Sequence, residues 1–348
     1  MKQFLSTVAF VSGVAALSAG VAQAQVALTA ETTTPGGTPY VTITALAELA
    51  GAAGIADIQV LEGQTATNIV QNIAEGRTAI GVAPLQLPFL MAHSVGPYSS
   101  LGERGEELAS QLRALYPYNV GSYAMLSPEA SGIRAWSDIA GRRVFDGPPR
   151  GQALSTARAL IQLATGLTEE GGFTGVQANW GELPTVLTDG SVDASIVPTG
   201  FPSVRVTTAL SAGAVNVVSF PKDIFEGEGF AALLRQPGNT RIVLSQDELD
   251  LPPGAVLISE DGMYRALGAG FAEVVNASMS FELAHDLTAL HIANLDNLRA
   301  RAPFMRNSSL GELGVEESGF CGVNPLRYHP GAIAAWEEAG YVVPDCAR

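Results

Sequence analysis

Short apolar runs and stretches of helical period follow one another along this chain, with Gly- and Pro-bearing turns at the changes between them. Val26-Ala27-Leu28 reads as a strand, residues 32–40 as a Gly-rich turn, and Ile43, Leu46, Ala47 and Ala50 as one face of a helix. Residues 58–61 give a second strand. Ile69, Val70, Ile73 and Ala74 then form a helical stripe that stops at Glu75-Gly76-Arg77, and Ala79-Ile80-Gly81-Val82-Ala83 is a buried strand closed by Pro84. This β-α-β-α-β order predicts a parallel sheet whose loops gather at its carboxyl edge, where open α/β sheets bind ligands.

The pattern resumes after an irregular stretch at 89–105 and a helix at 106–111. Residues 112–116 and 120–126 read as extended and mark a crossing into a second domain. A short helix at 135–139 leads to the strand Arg143-Val144-Phe145, a second Gly/Pro turn at 146–152, and a helix with Leu154, Ala157, Leu160, Ile161 and Ala164 on one face. A strand at 175–180, a helix at 182–187, a strand at 193–198 running into Thr199-Gly200-Phe201-Pro202, a helix at 203–211 and a strand at 216–220 complete the repeat. Residues 223–253 are mixed. Extended segments at 256–258 and 263–267 suggest the return crossing, followed by the longest helical signal, 271–298, and a last helix at 330–339. The expected layout is one lobe from 25–118 plus 262–348, a second lobe at 119–261, and a cleft between facing glycine turns.

Lys2, an apolar stretch at 4–21 and Ala22-Gln23-Ala24 before Gln25 read as a secretory signal peptide at residues 1–24; an uncleaved anchor is the alternative. The formal charge of −15, with 19 Lys plus Arg, argues against nucleic acid and anionic membrane surfaces. An anionic ligand would then be held locally, by amides, hydroxyls and a few arginines. The only two cysteines, Cys321 and Cys346, are expected to pair in an exported protein.

Gly36 and Gly37 permit positive φ and close backbone approach, and the helix start beyond them offers free amides and a positive dipole end, which suits an anionic small molecule. An ordinary βα turn is the competing reading. No Gly-x-Ser-x-Gly elbow, His-Glu-x-x-His, P-loop or complete Gly-x-Gly-x-x-Gly fingerprint occurs, and His93, His285, His291 and His329 show no metal-ligand spacing, so neither catalysis nor a metal or cofactor is expected. Among arginines near loops, Arg77, Arg150 and Arg205, the one inside the second glycine turn, Arg150, is favoured as a carboxylate grip. Tyr40, Asn68 and Trp180 are candidate donors or stacking platforms.

The order of motifs resembles a known family. Gly36-Gly37-Thr38-x-Tyr40, the Gly-x-x-x-x-Asn helix start made by Gly63 and Asn68, Glu75-Gly76 ahead of Gly81, the run Ser131-Gly132-Ile133-Arg134-Ala135-Trp136-Ser137-Asp138-Ile139-Ala140-Gly141-Arg142-Arg143-Val144, the run Asp189-Gly190-Ser191-Val192-Asp193-Ala194 and the ending His329-Pro330-Gly331-Ala332 are similar to those of the TAXI family, the extracytoplasmic solute receptors of TRAP transporters. The resemblance spans nearly all of the mature chain. It implies an α/β, two-lobed periplasmic binding protein fold of type II character, with no catalytic residues. The receptor would close over a small carboxylate, an amino acid or oxo- or dicarboxylic acid, and deliver it to integral-membrane permease subunits. Carried over by position, the contacts are Gly37, Thr38, Tyr40, Gln64 and Asn68 in one lobe and Gly147, Arg150, Gln152, Thr199 and Pro202 in the other. Pro84 and Pro149-Arg150 depart from the family's usual small or polar residues. The same fold serving an ABC transporter or sensor kinase, or an exported enzyme on this scaffold, are the alternatives.

Overall fold

The computed structural model describes residues 25–33, 35–149 and 152–348. The predicted signal peptide therefore lies outside the described residues, as does Arg150. The chain opens with β1 (Val26–Glu31), α1 (Thr38–Ala52), β2 (Ala56–Leu61), α2 (Ala66–Ala74), β3 (Ile80–Pro84), α3 (Gln86–Ala92) and α4 (Arg104–Ser110). β4 (Leu112–Pro128) follows as a single long strand where the pattern suggested two. Next come β5 (Arg143–Gly147), α5 (Gln152–Thr165), β6 (Thr174–Gln177), α6 (Leu183–Val186), β7 (Ala194–Thr199), α7 (Val204–Leu210) and β8 (Val215–Val218). Then α8 (Lys222–Phe225), α9 (Glu228–Leu234), β9 (Asn239–Ser245), α10 (Gln246–Leu249), β10 (Ala255–Ile258) and a second long strand, β11 (Met263–Asn276), lead back. The chain closes with α11 (Phe281–Ala293), α12 (Leu295–Arg301), α13 (Val315–Ser318), β12 (Arg327–Tyr328) and α14 (Pro330–Glu338).

The strands form one curled mixed sheet whose main path is β2-β1-β3-β11-β4-β7-β5-β6. Its buried apolar residues nevertheless divide. One core draws on Ala30 to Tyr118 and on Ala272 to Ala347. Two further clusters, built from residues between Tyr123 and Ala269, pack in the other half. The molecule is thus a two-lobed α/β fold, with β4 and β11 passing side by side from one lobe to the other. The antiparallel register of these two strands slips between Gly268 and Gly270, at the crossing itself. Gly121 occupies the same point with φ +107°, and a Cβ there would lie 2.5 Å from the backbone of Thr199. Only glycine lets β4 approach the end of β7 so closely.

The helical signal expected at 271–298 is corrected: Phe271, Val274 and Val275 belong to β11, and the helix begins only after Ser280, whose hydroxyl accepts a hydrogen bond from the Leu283 amide. Residues 272–275 of β11 are all buried, so neighbouring positions on both faces face protein and the two-residue period disappears. The mixed stretch at 223–253 conceals β9, which pairs antiparallel with β11 from Asn239↔Ala269 to Ser245↔Met263. Its outer residue Val243 is 43% exposed, and polar residues interrupt the run, so it carries little strand signal. The irregular stretch at 89–105 likewise overlaps α3, which buries Leu87 and Met91. Cys321 and Cys346 form the expected disulfide, with Cα atoms 5.4 Å apart.

Candidate functional site

Strand direction locates the place where loops from both lobes meet. β4 runs from the first lobe into the second, and β7 is antiparallel to it from Ser122↔Thr199 to Leu126↔Ser195, so the carboxyl end of β7 lies at the crossing. β5 is parallel to β7, and β6 to β5, so they end on the same side. In the first lobe β3 meets β11 at Phe271↔Pro84, again ending at the crossing, and β1 and β2 run parallel to it. The carboxyl edges of both half-sheets therefore point towards the junction, and the turns after β1, β2, β5, β6 and β7 face it.

The first-lobe residues singled out from the sequence converge there. Gly37 is the residue preceding α1, with extended backbone. The Thr38 hydroxyl is buried and lies 3.1 Å from the Ser308 hydroxyl. The turn after β2 is bound to the turn after β1: the Gly63 and Gln64 amides donate to the carbonyls of Thr33 (3.1 Å) and Thr32 (3.0 Å). Tyr40 is half-buried, while Gln64 and Asn68 are exposed. The Gln64 side chain donates to the Glu62 carbonyl at 3.1 Å.

In the second lobe, Gly147 ends β5 with φ +122°, and a Cβ on it would stand 3.1 Å from the Leu154 amide nitrogen. This close approach seats the first turn of α5, which begins at Gln152. Thr199 ends β7, but its buried hydroxyl is already committed to the Val197 carbonyl at 3.0 Å. What this position offers the junction is backbone. Pro202 follows a cis peptide in the turn leading to α7.

Arg205, one of the three loop arginines and not the one the sequence favours, has the most distinctive environment. Arg205 lies on the first turn of α7, which is fixed by the Ser203 hydroxyl accepting the Val206 amide at 3.2 Å. Its guanidinium carbon sits 5.1 Å from the centroid of Trp180, a ring on the turn after β6 that is 40% exposed. Its buried Nη1 has no hydrogen-bond partner, and no carboxylate among the described residues forms an ion pair with it. Burial lowers its pKa to about 10, with Tyr123 acting the other way, so the group remains a cation at neutral pH. Burial also pushes the Tyr123 hydroxyl up to about 12, opposed by the Thr156 side chain and by Arg205. Thus β4, α5, the β6 turn and α7 converge on one guanidinium. Asp146, the fully buried carboxylate at the end of β5, is occupied elsewhere: it accepts 2.8 Å hydrogen bonds from Arg158 Nε and Gln177 Nε2. The signal that marks Arg205 in the sequence is its place immediately after the 199–202 turn, on the opening turn of a helix, where the helix dipole disfavours a cation.

The junction is tied together by a second set of contacts. Asn119, at the crossing, donates through Nδ2 to the Thr240 hydroxyl (2.5 Å) and through its amide to the Ser308 carbonyl (2.7 Å). Asn307 donates to the carbonyls of Phe201 (3.1 Å) and Glu248 (2.9 Å), and Arg306 pairs with Asp250 at 2.8 Å. The segment at 303–308, which buries Met305 in the first lobe's core, therefore straps that lobe to the second. A separate apolar cavity of about 160 Å³, lined by Leu126, Val186, Leu187, Ala209 and Val215, lies at the far edge of the second lobe and is not part of this junction.

Two lobes joined by paired crossing strands thus present their carboxyl-edge turns to one junction. The chain belongs to the NMT1-like family, whose sequence model matches residues 30–243. No curated protein matches the sequence. Among solved structures it is similar to a TRAP periplasmic solute-binding protein from Rhodobacter sphaeroides, at 13% identity over 90% of each chain with a TM-score of 0.45. It is also similar to a TRAP periplasmic solute-binding protein from Roseobacter denitrificans with bound β-D-glucuronate, at 15% identity over 90% of this chain and 93% of that one, TM-score 0.45. The likeness to the alkanesulfonate-binding protein SsuA from Xanthomonas axonopodis pv. citri is at 15% identity, TM-score 0.33, and covers 50% of this chain and 54% of that one.

Proposed function

We propose that this protein is a non-enzymatic extracytoplasmic solute receptor that binds a small carboxylate between its lobes and delivers it to a TRAP-type transporter, as the TAXI resemblance implies. The observation that carries the reading is the meeting of both half-sheets' carboxyl edges at the β4/β11 crossing, which brings the turns of Gly37, Thr38, Tyr40, Gln64 and Asn68 opposite those of Gly147, Gln152, Thr199 and Pro202. A solute bridging the two sets stabilises the closed arrangement by its differential affinity for it. Closure would turn about the crossing strands β4 and β11, against the contacts that the 303–308 segment and α13 make with the second lobe.

The test is a thermal-shift and native mass-spectrometry screen of purified protein against carboxylates and amino acids. A true ligand at a hundredfold excess over Kd adds about 2.7 kcal/mol of stability. One-to-one binding without turnover, accompanied by compaction in X-ray scattering, is the expected result; turnover of the bound acid would refute the receptor reading. Uptake into proteoliposomes bearing TRAP permease subunits, driven by an ion gradient and requiring this protein, tests the transporter partner.

A further inference from the structure

We propose that Arg205 is the anchor for the solute's acid group, holding it against the second lobe beside Trp180, and that the solute is accordingly an organic acid docked through its anionic end. The inference rests on the receptor reading above and names a contact that lies outside the turns identified by their glycines.

A guanidinium nitrogen removed from water needs an acceptor, and the buried Nη1 of half-buried Arg205 has none among the described residues, nor does a carboxylate pair with the group. The deficit is conspicuous in this chain, which has 34 Asp plus Glu against 19 Lys plus Arg and yet places no carboxylate at Arg205. Neighbouring acids are engaged elsewhere: Asp146 by Arg158 and Gln177, and Glu182 by the Asn179 amide at 2.9 Å. Arg158, by contrast, pairs with both Asp146 and Glu169. The protein neutralises one arginine twice and leaves its neighbour in the same lobe without a partner.

The surroundings of Arg205 suit a ligand. The Arg205 guanidinium carbon lies over the Trp180 ring, 5.1 Å from its centroid, and a guanidinium held over a ring keeps in-plane N–H groups with which to grip two acid oxygens once the surrounding side chains part. Tyr123 and Thr156 supply hydroxyls nearby, and all these groups lie towards the carboxyl edge that faces the first lobe. Carboxylate and sulfonate share this chemistry, so the probes must separate them.

Binding is measured by tryptophan fluorescence and calorimetry with 2-oxoglutarate, glutamate, ethanesulfonate and inorganic phosphate, with glutaramide as the uncharged control. Trp136 and Trp336 are buried and Trp180 is not, so a ligand at Arg205 changes chiefly the Trp180 signal. The wild type is expected to bind at least one organic acid and not glutaramide. Arg205→Met should weaken that acid at least about 100-fold, while the ligand-free variant melts no lower than the wild type, because an unpaired buried cation has been removed. Arg205→Lys, which keeps the charge without the fork, should fall between the two, and it serves as the test variant if Arg205→Met does not fold. Trp180→Phe should abolish the fluorescence change with little loss of affinity. Arg205 variants that bind the same acid as tightly as the wild type would overturn the assignment and leave the receptor reading standing; a wild type that binds none of the acids would overturn both.

Discussion

Replacing Glu273 with glutamine is expected to stabilise the protein increasingly from about pH 4.5 to pH 8 and to leave it unchanged below that window. Glu273 sits near the end of β11, fully buried, opposite Val82 on one side and Tyr116 on the other. Its Oε1 accepts a 2.7 Å hydrogen bond from the Thr42 hydroxyl of α1, whereas Oε2 has no partner. The Tyr118 hydroxyl is close enough for the carboxylate to raise its pKa further beyond the effect of burial, yet neither it nor the Tyr116 hydroxyl reaches hydrogen-bond geometry with any group. Burial is the largest influence on Glu273 and raises its pKa from 4.5 to about 8, against the opposing pull of Thr42 and Tyr118.

Between those values the native state holds a proton that the unfolded state has released, so stability falls as pH rises, by about 1.4 kcal/mol per pH unit, and the loss levels off above pH 8. The full cost is about 5 kcal/mol, less whatever Tyr116 and Tyr118 recover by turning towards the ionised carboxylate, which leaves about 2–5 kcal/mol. Glu273→Gln keeps the shape and the Thr42 contact and removes the titration. Urea denaturation of both proteins at pH 4.5, 7 and 9 should give coincident midpoints in acid and a gap that opens towards pH 9, with the variant more stable. Parallel curves across the range, or a variant that is weaker at pH 9, would refute the account of a proton trapped on β11.

Tyr40→Ala and Asn68→Ala should each weaken ligand binding while leaving the ligand-free melting temperature nearly unchanged; unaltered affinity would remove those residues from the site. Cys321→Ser opens a loop of sequence separation 25 and should lower stability by about 3 kcal/mol without changing affinity. Two titratable thiols in the native protein would contradict the bond. Asn307→Ala removes both donors to Phe201 and Glu248 and should cost about 1–3 kcal/mol in denaturant unfolding, and an unchanged midpoint would show that the strap does not hold the lobes together.

The parts of this fold that could be read from sequence are those whose burial is one-sided. The stripe Ile69, Val70, Ile73 and Ala74 has solvent opposite it, and its helix is found at Ala66–Ala74. The strand at Ile80–Pro84 is legible as a short apolar run closed by a proline. Misreadings fall where tertiary contacts decide. β11 is enclosed by β3, β4 and β9, so nothing in its own period separates it from the helix that follows. β9 is defined by its pairing with β11 rather than by its composition. The same holds at the candidate site. Glycines and Pro202 announce turns through local backbone demands, but an arginine becomes chemically distinctive only through what surrounds it. Arg205 differs from Arg77 in lacking a nearby carboxylate and in stacking on Trp180, and both facts require the folded chain.

The division of the cores also sets an order of assembly. The second lobe is drawn from one continuous stretch, Tyr123 to Ala269, while the first requires both Ala30 to Tyr118 and Ala272 to Ala347. As the chain emerges N-terminus first, everything the second lobe's core needs is available before α11 to α14 exist. The lobe that starts first is therefore completed last. Until then α1 and the first-lobe half of β4 lack the cover that α11, α12 and α14 give them, and the bond to Cys346 closes only when that residue has emerged. A nascent chain halted near the end of β11 should contain one finished lobe and one aggregation-prone half, and shielding that half is work for a chaperone.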